Sequence, residues 1–309
     1  MTISIGSRTR CSVGTGFVGE GEKDGMPIRH NPYAQRYPLW LKGNLHAHTT
    51  LSDGELPPDE TIEAFARKGY DFVALTDHDA IALPDAPPPQ ILVLPGVEHS
   101  AQQHILRVNV TSTLPHDLSY QSVIDLTLQE GGLVILNHPN WGENHDHWHN
   151  AHLLQLQRYH GIEIYNNVIE YLEGSPYALD RWDLLLSEGK QVWGYANEDT
   201  HRVFQIGSAW NAVNVRERSK EAVLDALKEG RFYASTGVVL EEIEVEDGYF
   251  RVHATNAKEM RLISLHGEVV GQVSGNVASF ALHQATKYAR VEAIGEGQSR
   301  AWTQPVFLE

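Results

Sequence analysis

The chain has 309 residues, 41% hydrophobic and 21% charged, a balance that suits a soluble globular protein with one large domain and room for a small one. A formal net charge of −16 argues against a general nucleic-acid binder, and against an anionic substrate unless bound metal makes the pocket locally positive. The single cysteine, Cys11, excludes an internal disulfide and any multi-cysteine zinc site.

No apolar run is long enough to span a bilayer, so no membrane partner is expected. The first 25 residues lack the apolar centre of a signal peptide, which makes a cytoplasmic protein the expectation. Residues 1–37 read as an irregular extension, because Gly, Arg and Pro interrupt each short apolar stretch. Leu39-Trp40-Leu41 then predicts a strand that runs into His46-Ala47-His48. Strand residues two apart share a side, about 6.6 Å apart along the chain, so two such imidazoles can lean together onto one metal ion.

Pro57-Pro58-Asp59-Glu60 opens a helix with Ile62, Phe65 and Ala66 on its apolar face and Gly69 at its end. A buried strand over 72–76 leads into Asp77-His78-Asp79, and another over 91–94 precedes Pro95-Gly96-Val97-Glu98. Residues 104–110 form a further strand. Ser119 caps a helix that stops at Gly131-Gly132, and the strand over 133–136 delivers Asn137-His138-Pro139. The strand over 162–165 carries Glu163. Ser175-Pro176 opens a helix closed by Gly189, and the strand over 192–196 reaches Asn197-Glu198-Asp199-Thr200-His201. A strand–helix–strand unit over 210–235 completes this region.

Strands alternating with helices predict βαβ units and a mostly parallel α/β sheet over residues 38–237. The polar clusters fall at the C-terminal ends of the strands, which in a βα-barrel share the face that holds the active site. After Gly237 the texture changes to short strand-like runs between Gly, Asn and charged turns. Residues 238–309 are therefore expected to form a small antiparallel β domain, sandwich-like, with His253, His266 and His283 at its surface or in its packing.

The chain has 17 histidines, most of them between His46 and His201. His46, His48, Asp53, His78, Glu98, His138, Asp199 and His201 form one set whose nitrogen and oxygen donors suit Zn²⁺, Mn²⁺ or Fe²⁺. Glu98 can bridge two ions, and water between them would be acid enough to act as a nucleophile. His104 reads either as a ligand or as an exposed strand residue; strand alternation aims His99 away from Glu98. Asp77 or Asp79 could orient His78, and Glu163 could orient a ligand or touch substrate. The loop over 141–149, with Trp141 at its head, reads as a substrate-facing lid. Arg202 is a better candidate than Arg181 to meet an anionic group, because it adjoins His201. No phosphate-binding glycine loop or nucleophile elbow is present in the sequence.

With these residues assembled, residues 39–237 resemble the PHP (polymerase and histidinol phosphatase) superfamily of metal-dependent hydrolases. The carriers are His46-Ala47-His48 with Ser52-Asp53-Gly54, Thr76-Asp77-His78-Asp79, Gly96-Val97-Glu98, Asn137-His138-Pro139 and Asp199-Thr200-His201. The resemblance implies a distorted (βα)7 barrel with two or three divalent ions. It nominates His46, His48, Asp53, His78, Glu98, His104, His138, Asp199 and His201 as ligands. A narrower likeness is to the carbaryl hydrolase-like (CehA/McbA-type) branch. It rests on Lys42-Gly43-Asn44-Leu45-His46, Asn137-His138-Pro139-Asn140-Trp141, Gly161-Ile162-Glu163-Ile164-Tyr165-Asn166 and Gly230-Arg231-Phe232-Tyr233-Ala234-Ser235-Thr236-Gly237. That branch often ends in a phrase like Ala301-Trp302-Thr303-Gln304-Pro305.

The expected activity is phosphoester hydrolysis by a metal-bridging hydroxide, with Glu98 and Asp199 catalytic and Asp199 able to accept or pass a proton. Arg202, Asn140, Trp141 and Glu163 are the expected contacts to a small-molecule substrate. The same site could instead hydrolyse a carbamate, carboxylic ester or amide. A non-catalytic, metal-stabilised binding module is the third reading, and it requires a closed coordination sphere.

Overall fold

The computed structural model describes residues 27–84 and 87–309, so most of the expected N-terminal extension, with Cys11, lies outside the described residues. The short apolar runs become strands: β1 (Ile28–His30), β2 (Leu39–Asn44), β3 (Phe72–Leu75), β4 (Leu92–His99) and β5 (Ile105–Val108). They continue as β6 (Leu133–Leu136), β7 (Gly161–Asn166), β8 (Trp193–Asn197), β9 (Trp210–Val215) and β10 (Phe232–Ser235). Helices α1 (Pro58–Arg67), α2 (Tyr120–Gln129), α3 (Asn150–Gln155), α4 (Leu179–Ser187) and α5 (Lys220–Glu229) lie among them. Local chemistry sets several helix ends: Ser119 and Ser219 accept from the backbone N–H three residues on, and Gly230 closes α5 at φ 76°.

β2, β3 and β4 run parallel, as do β6, β7 and β8. β5 lies between the two groups and is antiparallel to both its neighbours. A parallel bridge between Ala47 and Thr200 brings the chain after β8 against the chain after β2. The first and last of these seven strands therefore meet beside His46 and His48. Strand residues such as Phe72, Leu94, Leu106, Ile135 and Ile164 are fully buried in the apolar cluster beneath. No described helix is long and apolar enough to cross a membrane.

The connections depart from a regular strand–helix repeat. Among the described residues no helix joins β3 to β4, a segment that carries Pro84, Pro87, Pro88 and Pro89 and cannot supply the N–H groups a helix needs. β4 and β5 form a hairpin, and α4 begins at Leu179, three residues beyond Pro176.

The C-terminal strands are β11 (Leu240–Glu246), β12 (Tyr249–Ala254), β13 (Glu259–Ser264), β14 (Glu268–Ser274), β15 (Val277–Ala281), β16 (Tyr288–Ile294), β17 (Arg300–Thr303) and β18 (Val306–Leu308). β11, β12 and β15 make a separate three-stranded sheet. The others continue the large sheet, because β17 pairs with β10 and β16 pairs with β13, β17 and β18. β1 in turn pairs with β18, so residues expected to be irregular form an edge strand. Asp183 on α4 accepts from the Tyr288 hydroxyl at 2.8 Å and from Arg290 at 2.9 and 2.6 Å, which ties β16 to the first half of the chain.

Candidate metal centre

The strand ends position the polar clusters. His46 and His48 follow β2, His78 follows β3, Glu98 is on β4, His138 follows β6, and Asp199 and His201 follow β8. His104 precedes β5, and the reversed direction of that strand carries its N-terminal end to the same side as the others. His104 Nδ1 lies 3.1 Å from Glu98 Oε1.

Glu98 is the hub. Its Oε1 also lies 3.3 Å from both His46 Nε2 and His138 Nε2, while Oε2 lies 3.0 Å from His78 Nδ1 and 3.5 Å from His48 Nε2. Asp199 Oδ1 stands 3.2 Å from His46 Nε2 and 3.0 Å from His48 Nε2. At the outer rim, Asp53 Oδ2 is 3.3 Å from His201 Nε2 and 3.6 Å from His78 Nε2.

A test of whether these residues fit metal is the state of their polar atoms. His46 Nε2, His48 Nε2, Glu98 Oε2 and Asp199 Oδ1 are buried and have no hydrogen-bond partner among the described residues. Leaving one such group unsatisfied costs about 1–3 kcal/mol, so four facing each other require a common partner. Lone pairs converging on a cation meet that requirement, and the mixed imidazole–carboxylate set suits a borderline divalent ion. The groups that fall within coordinating reach are His46, His48 and Glu98; His78, Glu98 and His104; and His48, Asp53, His78 and His201.

The electrostatics have the same sense. Burial opposes charge on His46, but Asp199, Glu98 and Glu163 outweigh it and hold its pKa well above the ordinary value. Burial also opposes charge on His201, which Asp53 and Asp199 nevertheless bring up to about 9. The hydrogen bond from His201 holds Asp53 down to about 2. The carboxylates thus stay ionised and draw positive charge inward, whether protons or metal supply it.

Surrounding groups fix the ligands. Glu163 Oε1 accepts from His46 Nδ1 at 2.8 Å, which leaves the Nε2 lone pair free for metal. Asp199 O accepts from His201 Nδ1 at 2.8 Å to the same effect. Asn137 donates to Glu98 at 2.6 Å, and Asn166 donates to Asp199 Oδ2 at 3.1 Å. His138 and Asp199 sit at φ 30° and 52°, the left-handed region that non-glycine residues avoid, so the surroundings hold them against local preference. Gly54 is required where it stands, because a Cβ there would lie 2.4 Å from the His48 carbonyl oxygen.

Several expected roles change with the structure. Glu163 does not reach substrate space; it is buried behind His46 and also accepts from His138 N, Asn166 and Asn197 at 2.8, 2.8 and 2.9 Å. Asn140 is likewise turned away, donating to Tyr177 O and Asp180 and accepting from Arg181 at 2.8 Å. Arg181 spends its remaining donors on His145 O and Asn150, so it tethers the 141–149 loop instead of meeting an anion. Asp77 holds the backbone and hydroxyls of Thr49 and Ser52, while Ser100 Oγ, 2.6 Å away, is what orients His78.

The cavity of about 180 Å³ is lined by the nominated ligands other than His46 and His48, and by Trp141, Val168, Ile169 and Leu172. Arg202 lies outside this cavity, on an adjoining recess of about 610 Å³ with Tyr171, Leu172 and Phe204. Sequence reasoning missed His147, which accepts from the His104 backbone N–H at 3.0 Å and forms a further coordinating group with His104 and His138. Its place in a His-rich loop was the available signal, but a loop has no periodicity from which to read which histidine turns inward.

A two-domain protein from Bacteroides vulgatus, described as containing a predicted PHP-like metal-dependent phosphoesterase, superposes with a TM-score of 0.53 at 17% identity, over 87% of this chain and 94% of that one. The fold is PHP-like. The uncharacterized protein MJ0417 of Methanocaldococcus jannaschii is 22% identical over 178 residues, 55% of this chain and 69% of its own. A DNA polymerase/3'-5' exonuclease PolX of Bacillus subtilis is 50% identical over 38 residues, 12% of this chain and 7% of that protein. No family model matches the chain.

Proposed function

We propose that the chain is a metal-dependent phosphoesterase of the PHP superfamily, within its carbaryl hydrolase-like branch, acting on a small phosphomonoester or phosphodiester. The observation that carries this reading is the convergence of four buried, unpartnered ligand atoms from His46, His48, Glu98 and Asp199. Two or three Zn²⁺, Mn²⁺ or Fe²⁺ ions fit the nine ligands, and when bound they acidify water and neutralise phosphoryl oxygens.

The chain's own residues do the rest. Glu98 divides its oxygens between the His104–His138 side and the His78–His48 side, as a bridging carboxylate must. Asn166 holds Asp199 Oδ2 and so aims Oδ1 at the ligand cluster. Trp141, Val168, Ile169 and Leu172 wall the reacting centre and thin out bulk water. Two divalent ions already outweigh the ligating carboxylates Asp53, Glu98 and Asp199, so an acidic chain can still present a positive pocket to phosphate. The size of the cavity favours a small molecule over a duplex.

One observation favours a carbamate, carboxylic ester or amide substrate at the same centre. The described cavity lining contains neither Lys nor Arg, and the adjoining recess is largely apolar. A panel of p-nitrophenyl phosphate, bis(p-nitrophenyl) phosphate and p-nitrophenyl acetate with metal-loaded protein separates the two. Turnover of the phosphoesters supports the first reading; turnover of acetate alone replaces it with the second.

A further inference from the structure

We propose that Asp79, His99 and His116 form a second, peripheral site for a divalent cation of the zinc type, set behind the central cluster. The side chains come from three segments: Asp79 from the turn after β3, His99 from the last residue of β4, and His116 from the connection between β5 and α2. A ligating atom of each lies within 4.8 Å of those of the other two. His116 Nε2 is 3.0 Å and His99 Nδ1 3.8 Å from Asp79 Oδ1. These values bracket the edge of about 3.3 Å that tetrahedral zinc imposes when its bonds are about 2.0–2.1 Å. The two imidazoles cross at 85° with centroids 5.5 Å apart, so they do not stack and their in-plane lone pairs can converge.

Alternation along β4 separates this site from the central one: Glu98 points inward and His99 outward. The carboxylate is held in place beforehand. Ser100 N donates to Asp79 Oδ1 at 3.2 Å, Asp79 N donates to Glu98 O at 3.0 Å, and Asp79 adopts φ 50°. Two imidazoles and one carboxylate leave the fourth position of a tetrahedral zinc to water, and the 58% exposure of the His116 side chain keeps that position open to solvent. A plain surface ion pair between Asp79 and His116, worth about 0–1 kcal/mol, gives no role to His99, which is buried beside them. A cation here would pin the connection carrying His116 to the strand that supplies Glu98, and would brace His78 through its neighbour Asp79.

The test is an ion count on the full chain. Wild type, His116→Ala and His116→Gln are stripped with chelator, dialysed against buffered micromolar Zn²⁺ and analysed for zinc per chain. Each variant is expected to hold one zinc fewer than wild type. Equal counts in all three proteins would overturn the proposal. The count is independent of what the central cluster hydrolyses, and His116 contributes nothing to that cluster.

Discussion

Glu163 accepts a hydrogen bond from His46 Nδ1 at 2.8 Å, from a position fully behind the ligand set. Its two oxygens serve four donors: His46 and Asn197 at Oε1, His138 N and Asn166 at Oε2. Glu163→Gln keeps the shape but turns an NH₂ toward two of those donors. Metal affinity and turnover should fall about 10–100-fold, with a stability loss of about 1–3 kcal/mol from the donors left unpaired. Calorimetric metal titration and kcat on the same sample check this; wild-type values in both would remove Glu163 from the supporting role.

Arg181 holds the 141–149 loop through Asn140, His145 and Asn150, and that loop carries Trp141 to the cavity and His147 to His104. Arg181→Ala should therefore raise KM more than it lowers kcat, with a stability loss of about 1–3 kcal/mol from the abandoned acceptors. A kinetic series on the phosphoester panel, paired with urea unfolding, reads both. A collapse of kcat at constant KM would point to a role in the chemistry itself.

These two residues mark where the sequence stops being informative. Local signals were legible: the apolar run of β6, the serine cap of α2, and the strand ends that deliver His46, His78, Glu98 and His138 follow from period, capping and turn chemistry. The place of His104 depended on the direction of β5, a non-local pairing that periodicity does not encode. The role of Glu163 depended on its meeting His46, 117 residues away, and that of Arg181 on a loop 31–41 residues back in the chain. β17 and β18 were unreadable for a related reason, since short return strands owe their form to a partner rather than to their own pattern.

The buried pair Asp183–Arg290 fastens α4 to β16, with Tyr288 as a third member. Asp183→Ala leaves the guanidinium buried without its counter-charge and should cost about 3–5 kcal/mol. Denaturant unfolding should show the loss in a single transition for the whole chain. A separate early transition would mean that the C-terminal strands unfold independently.

His160, remote from the metal centre, accepts from Val134 N at 3.1 Å. Burial and then Lys228 lower its pKa from 6.5 to about 4. The folded state therefore binds this proton less readily than the unfolded state. Its stability contribution is present in full above about pH 6.5, declines as the pH falls, and is lost through about pH 4. It amounts to at most about 3 kcal/mol. His160→Asn, which preserves the acceptor, should lose less melting temperature between neutral pH and pH 4.5 than wild type; an identical loss would contradict the assignment.

The central claim is that His46, His48, Glu98 and Asp199 converge on metal that the reaction requires. The most direct measurement combines elemental analysis with p-nitrophenyl phosphate turnover for wild type and His46→Ala, before and after chelation. Wild type should hold two or three divalent ions besides the one proposed at Asp79, His99 and His116, lose turnover on chelation and regain it on adding metal back, while His46→Ala is depleted in both central metal and turnover. Full turnover by metal-free wild type would contradict the account.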